Sequence, residues 1–213
     1  MRLHVRPGAK PSISGDRKQQ RTNSKRTNSK RGSSLITTPS ERFIAYALEL
    51  LLDEYLPKIE RCLERLTDEQ IWWRPNEESN SIGNLVLHLC GNARQWIVSG
   101  VGGETDQRHR AAEFAQRELV PREQLLGLLR TTLDDVARVL RELDRATLLE
   151  RRTIQGSDVD LLAAIFHVTE HFSMHTGQII LLTKLLTGTG LDFYKFEGDV
   201  ATQHWRSQPP GST

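Results

Sequence analysis

His167-Val-Thr-Glu-His-Phe-Ser-Met-His-Thr-Gly-Gln178 sets histidines at 167, 171 and 175 inside a long apolar run of this 213-residue chain. Seven histidines scattered at random would give roughly 0.2 pairs at a separation of four, and here two such pairs stand in tandem. At 100° per residue, positions i, i+4 and i+8 lie within an arc of about 80°, so a helix turns the three imidazoles to one side. Neighbours in this row can share one divalent ion, as helix-borne zinc sites do, and a third ligand must come from another helix. Gln178 returns to the same face, where it can orient an imidazole by a hydrogen bond. Gly177 leaves room for another backbone or a substrate to approach. The helix carrying the row is expected to start at Gly156 and Ser157, run to about Leu186 and stop at Gly188 and Gly190.

Helical periodicity extends over the rest of the chain from Thr38 onward, and no window shows the period-two alternation of a half-buried strand. Thr38 and Glu41 form a capping box with Pro39 at the first helical position. Phe43, Ala47, Leu50, Leu51, Tyr55, Ile59, Leu63 and Leu66 follow at spacings of three and four, and Pro57 is expected to kink that helix rather than end it. Thr67 and Gln70 cap a short helix closed by Trp72, Trp73, Arg74, Pro75 and Asn76, one tryptophan plugging the end of the core. Asn80 or Ser81 caps a long helix through about Ser99, ended by Gly100, Gly102 and Gly103. After a polar link, Pro121 opens another helix with the stripe Leu125, Leu128, Leu129, Leu133, Val136, Val139, Leu140 and Leu143. Four long amphipathic helices of this kind predict an all-α four-helix bundle over residues 37–200. Leu191 to Thr213 reads as irregular, with Phe193, Tyr194, Phe196 and Trp205 available to pack on the bundle and 201–213 forming a C-terminal tail.

His88 lies mid-helix among Ile82, Leu85, Val86, Leu87 and Leu89, so it points into or beside the core. It is either a core histidine satisfied by a backbone carbonyl or the third ligand for the row. Asn92 and Trp96 share its face, whereas Cys90 stands about 200° around the helix and cannot easily join it on one ion.

Charge is unevenly spread. Residues 1–36 hold ten of the 29 basic residues and one of the 27 acids, leaving 19 basic and 26 acidic residues in 37–213. The basic segment, in which RTNSK at 21–25 repeats at 26–30, reads as a disordered leader. Without an aromatic residue for base stacking, it is not expected to bind nucleic acid. No run approaches the roughly 18 apolar residues of a membrane span, and the N-terminus lacks the apolar centre of a secretory signal. Cys62 and Cys90 form no C-x-x-C pair, which excludes a disulfide framework or zinc ribbon and makes a reducing cytoplasm the expected location.

The segments Asn80 to Trp96 (NSIGNLVLHLCGNARQW) and His167 to Gln178 (HVTEHFSMHTGQ) resemble the DinB/YfiT-like superfamily, as does the Leu66 to Pro75 turn. The resemblance covers residues 38 to 200. It implies a bundle in which His88, His171 and His175 bind a metal, with His167 one turn away as a spare or outer group. It also implies a homodimer. Three neutral imidazoles leave a position for water or substrate, as in catalytic sites. Zinc is the first expected ion, with nickel or iron as alternatives. Members of the superfamily include thiol-dependent S-transferases, which implies a small-molecule substrate and a low-molecular-weight thiol. A metal-dependent hydrolase and a non-catalytic, stress-related helical scaffold stand beside that expectation, and no catalytic residue is assigned. A rival pattern, H-x-x-E-H at His167 to His171, would make Glu170 a general base, but it lacks the downstream acidic ligand such a site wants.

Overall fold

A computed structural model describes residues 38–203; the expectations for residues 1–36, Trp205 and the end of the tail lie outside them. The first helix, α1 (Pro39–Leu48), opens on the Thr38–Glu41 capping box, in which Thr38 Oγ1 accepts from the Glu41 amide at 3.2 Å. It runs through a π-helical segment (Glu49–Tyr55) into α2 (Leu56–Glu64). The wider π turns fall just before Pro57, whose missing N–H and bulky ring an ordinary α-helix interior would not accommodate. The short α3 (Asp68–Trp72) carries the second capping box, Thr67–Gln70. Trp72 then donates from Nε1 to the Val120 carbonyl at 3.0 Å, while Trp73 is exposed.

Ser81, rather than Asn80, caps α4 (Ile82–Ala93), in a reciprocal box with Asn84. A second π-helical segment (Arg94–Val101) prolongs α4, and Gly103, at φ +80°, turns the chain away. The polar link that follows contains α5 (Arg110–Ala115), then α6 (Arg122–Glu142). Leu128, placed in the apolar stripe from sequence, is exposed, and Leu126 and Ala137 are buried instead.

Two hairpins correct the expectation of an all-α chain. Strands β1 (Arg151–Ile154) and β2 (Ser157–Asp160) pair antiparallel, Ile154 facing Ser157 in register. Their turn, Gln155–Gly156, takes positive φ at both residues (52° and 77°), the requirement of a tight hairpin. Gly156 and Ser157 therefore do not start the long helix; α7 (Leu161–Thr187) begins after Asp160, whose Oδ1 accepts from the Ala163 amide at 2.7 Å. It ends at Gly188, at φ +65°. The segment read as irregular contains β3 (Tyr194–Glu197) and β4 (Val200–Gln203). Leu191 and Phe193 pack on the core, but Tyr194 and Phe196 are exposed.

The chain is mostly helical, and α1–α2, α4, α6 and α7 with the π segments enclose one core, including Ile44, Leu51, Ile59, Leu89, Leu133 and Phe172. Each such fully buried side chain contributes about 1.5–3 kcal/mol of transfer free energy. Contacts at the glycines show how tightly α4 is fitted. A Cβ on Gly83 would stand 2.7 Å from the Trp72 ring, whereas one on Gly127, mid-α6, would meet nothing within 4 Å. Gly83→Ala is expected to cost about 1–3 kcal/mol through overpacking, and Gly127→Ala to add roughly 0.5–1 kcal/mol. Denaturant unfolding of the two variants beside the wild type checks this; shifts of the same sign would contradict the packing described.

Candidate metal centre

Where α4 lies against α7, the structure brings His88, His171 and His175 together, with one potential ligand nitrogen from each within 4.8 Å of the others. His88 and His175 are buried and His171 is half-buried. The ring centroids are 4.8 Å apart for His88–His171, 5.2 Å for His88–His175 and 4.4 Å for His171–His175. Helical spacing alone puts His171 over His175; the contact with His88, 83 positions earlier, is tertiary.

The outer nitrogens of His88 and His175 have partners. His175 Nδ1 is 2.6 Å from Gln178 Oε1, an acceptor, so Nδ1 carries the proton and Nε2 the lone pair. That Nε2 is buried without any hydrogen-bond partner. His88 Nδ1 is 2.8 Å from Glu113 Oε2, which fixes the same tautomer and bares its Nε2. His88 Nε2 and His171 Nε2 are 2.8 Å apart, and with His88 Nδ1 protonated it is His171 that donates to His88. Buried imidazole nitrogens converging in this way suit a divalent cation, and the donor set fits zinc and its neighbours.

Protonation is disfavoured at His171, His175 and His167. Burial, reinforced by the neighbouring charges of His175, His88, His167 and Arg108, pushes His171 down to about 3. Burial also lowers His175, against the raising effect of its bond to Gln178, and lowers His167. Neutral rings are the form a metal binds. Glu113 behaves oppositely to a buried acid left alone: burial works to raise it, but the hydrogen bonds from Arg108 and His88 outweigh that and hold it below the ordinary carboxylate value.

His167 stacks on His171, centroids 5.3 Å apart, but is not one of the three grouped ligands. Asn92 Nδ2 lies 3.2 Å from its Nε2 and donates to it, and its ring packs on Trp96 with centroids 4.1 Å apart. The H-x-x-E-H pair is thus split, and Glu170 is exposed, which leaves the rival pattern without its base. Gly177 is exposed with open space at its Cβ position, so no other backbone among the described residues uses it. Burial pushes the Cys90 thiol up to about 12 and the Cys62 thiol up to about 11, and both are free, which makes them inert at neutral pH.

Glu113 and Arg108 escape a reading of helical periodicity because they come from the polar link. The sequence signal was Gly91, a helix-interior glycine with a propensity cost and no turn to explain it. A cavity of about 830 Å³ beside the link is lined by Glu113 and Arg108 together with Leu87, Val98 and Leu128, but by none of the three histidines.

The helical fold that holds the three-histidine cluster is also that of solved DinB-like structures. The chain belongs to the family described as protein of unknown function DUF1572, whose sequence profile matches residues 40–194. No curated protein matches the chain. Three solved structures show the same fold at low identity. A DinB-like protein from Bacillus subtilis is 19% identical with a TM-score of 0.53, over 71% of this chain and 96% of that one. A conserved protein from Enterococcus faecalis is 16% identical with a TM-score of 0.56, over 68% and 97%. A DinB-like protein from Bacillus cereus is 16% identical with a TM-score of 0.51, over 62% and 85%. No helix among the described residues is long and apolar enough to cross a membrane.

The lowered histidines have a consequence for stability. A folded-state pKa below the unfolded value of about 6.5 means that the unfolded chain binds more protons in acid. The contribution is therefore fully present above about pH 6.5 and is lost as pH falls toward the folded value of about 3. Chelator-treated protein should show a lower denaturant midpoint at about pH 5 than at about pH 7.5, and His171→Ala should shrink that difference. Equal midpoints in the wild type would contradict the burial of neutral rings.

Proposed function

We propose that this chain binds one divalent transition-metal ion through His88, His171 and His175, zinc first among the candidates, and that it is a metal-dependent enzyme built on a four-helix bundle with appended hairpins. The observation that carries this is His175 Nε2, a buried acceptor with no partner beside two further imidazole nitrogens. An orphaned buried polar atom of this sort calls for an ion or water. When bound, a divalent ion supplies Lewis acidity and lowers the pKa of a coordinated thiol or water. The protein's own residues hold three neutral nitrogens, orient two of the rings through Glu113 and Gln178, and cover His88 with the Phe114 ring, centroids 4.6 Å apart.

For the reaction we assign transfer of a low-molecular-weight thiol to a small electrophile. The support is the resemblance of Asn80–Trp96 and His167–Gln178 to DinB/YfiT-like proteins, some of which are thiol-dependent S-transferases. A hydrolase would use the same ion on water. A scaffold would use it only for stability, and chelation then separates the readings: a small loss of Tm favours a catalytic ion and a large one a structural ion. Two buried thiols suit the reducing cytoplasm we propose as its compartment.

Elemental analysis of purified protein is expected to find about one equivalent of metal per chain in the wild type, as one such site holds one ion. His88→Ala, His171→Ala and His175→Ala should each lose it. Folded wild type without metal after reloading with zinc, nickel or iron would refute the reading.

We further propose that two copies associate through the outer face of α7, where Phe166, Met174, Leu181 and Leu185 are exposed. A helix apolar on both sides is one that buries both. Sedimentation should give a dimer for the wild type and a monomer for Phe166→Glu combined with Leu181→Glu; a monomeric wild type would contradict it.

A further inference from the structure

We infer that Glu113, clamped by Arg108 and admitted by Gly91, is the positioning residue that presents His88 Nε2 to the metal. The inference rests on the metal-binding reading above and names part of its machinery outside the histidines.

Asn84, His88 and Gly91 occupy positions i, i+4 and i+7 of α4, one face of the helix. All three serve the link that follows. Asn84 Nδ2 donates to the carbonyls of Glu113 (2.9 Å) and Gln116 (3.1 Å), which pins the end of α5. Gly91 provides the space. A Cβ there would stand 2.0 Å from Glu113 Oε1 and 2.8 Å from its Cδ, so any other residue would displace the carboxylate. His88 then meets Oε2 at 2.8 Å.

Arg108 holds the carboxylate from the other side with a two-pronged grip, Nε to Oε1 at 2.7 Å and Nη2 to Oε2 at 2.9 Å. Its Nη2 also lies 3.1 Å from His88 Nδ1, but a guanidinium has no acceptor, so both groups direct their protons at the same carboxylate. Arg108 is itself fixed: Nη1 donates to Gln95 Oε1 at 2.9 Å, and its amide donates to Asp106 Oδ1 at 3.0 Å. The Arg108 and Glu113 side chains are only 3% and 10% exposed. A buried ion pair is a poor source of net stability compared with apolar residues of equal volume. What it does supply is a fixed carboxylate on the outer nitrogen of a metal-ligating imidazole, which sets tautomer and ring direction and raises ligand basicity.

The test is zinc titration of the full-length chain by calorimetry, with cobalt(II) absorption as a second readout of ligand geometry. Glu113→Gln keeps an acceptor of the same size but removes the charge. Gly91→Ala removes no polar group but displaces the carboxylate and crowds Arg108 Nε, 3.1 Å from the added Cβ. Each is expected to weaken zinc binding by roughly 10–100-fold and to alter the cobalt bands, while the metal-free far-UV spectrum stays that of the wild type. Because both act on one contact, the double variant should lose little more than the worse single one. Wild-type affinity and an unchanged cobalt spectrum in both variants would overturn the inference alone. Wild type that takes up neither metal would overturn the metal reading and this inference with it. Additive losses would overturn the assignment of Gly91.

Discussion

Burying imidazoles between two helices is the constraint around which this protein is organised. Each neutral ring brings one donor and one acceptor, and a buried polar group left unpaired costs about 1–3 kcal/mol. At the α4–α7 contact the donors are answered by Gln178 for His175 and by Glu113 for His88. Asn92 answers His167. What remains is His175 Nε2, which has no partner and lies in the group that His175 forms with His88 and His171.

The scaffold around the contact keeps it in register. Ser81 and Asn84 start α4 at a defined residue, so His88 arrives at a defined height on its helix. At the other end, Trp96 Nε1 donates to Gln155 Oε1 at 3.2 Å, and Ile154 lies against Gly100, where a Cβ would come within 2.4 Å of its Cδ1. The first hairpin therefore covers the end of the contact beside His167. The link between the π segment and α6, which has little periodicity of its own, supplies Glu113, Arg108 and the Phe114 ring from a single short stretch. A link of this kind is where loops ordinarily carry function on a rigid scaffold.

The structural neighbours share a helical arrangement with this chain at 16–19% identity. At that distance a fold hosts many chemistries, so function has to be argued from the residues of the site. Here those residues are three imidazoles gathered at one point, a carboxylate held ionised by an arginine, and two thiols too buried to react.

Much of the helical frame and the histidine row was legible in the sequence, because capping boxes and i, i+4 spacings are interactions among residues a few positions apart. Thr38–Glu41, Thr67–Gln70 and His171–His175 are of that kind, and each is formed. The hairpins were not legible: Arg151–Ile154 and Ser157–Asp160 are four residues each and mostly exposed, so no apolar alternation marks them, and the Gln155–Gly156 turn resembled a helix start. Leu128 fits the α6 stripe by spacing, yet nothing packs over it enough to bury it. By itself the sequence determined where α1 and α3 begin and that three histidines share a face, since local geometry settles both. Only the tertiary structure decided that His88 joins His171 and His175 while His167 turns to Asn92 and Trp96, and that Glu113 and Arg108 stand behind His88. Those partners are 20 to 87 positions apart, and no periodic pattern encodes a contact over such a distance.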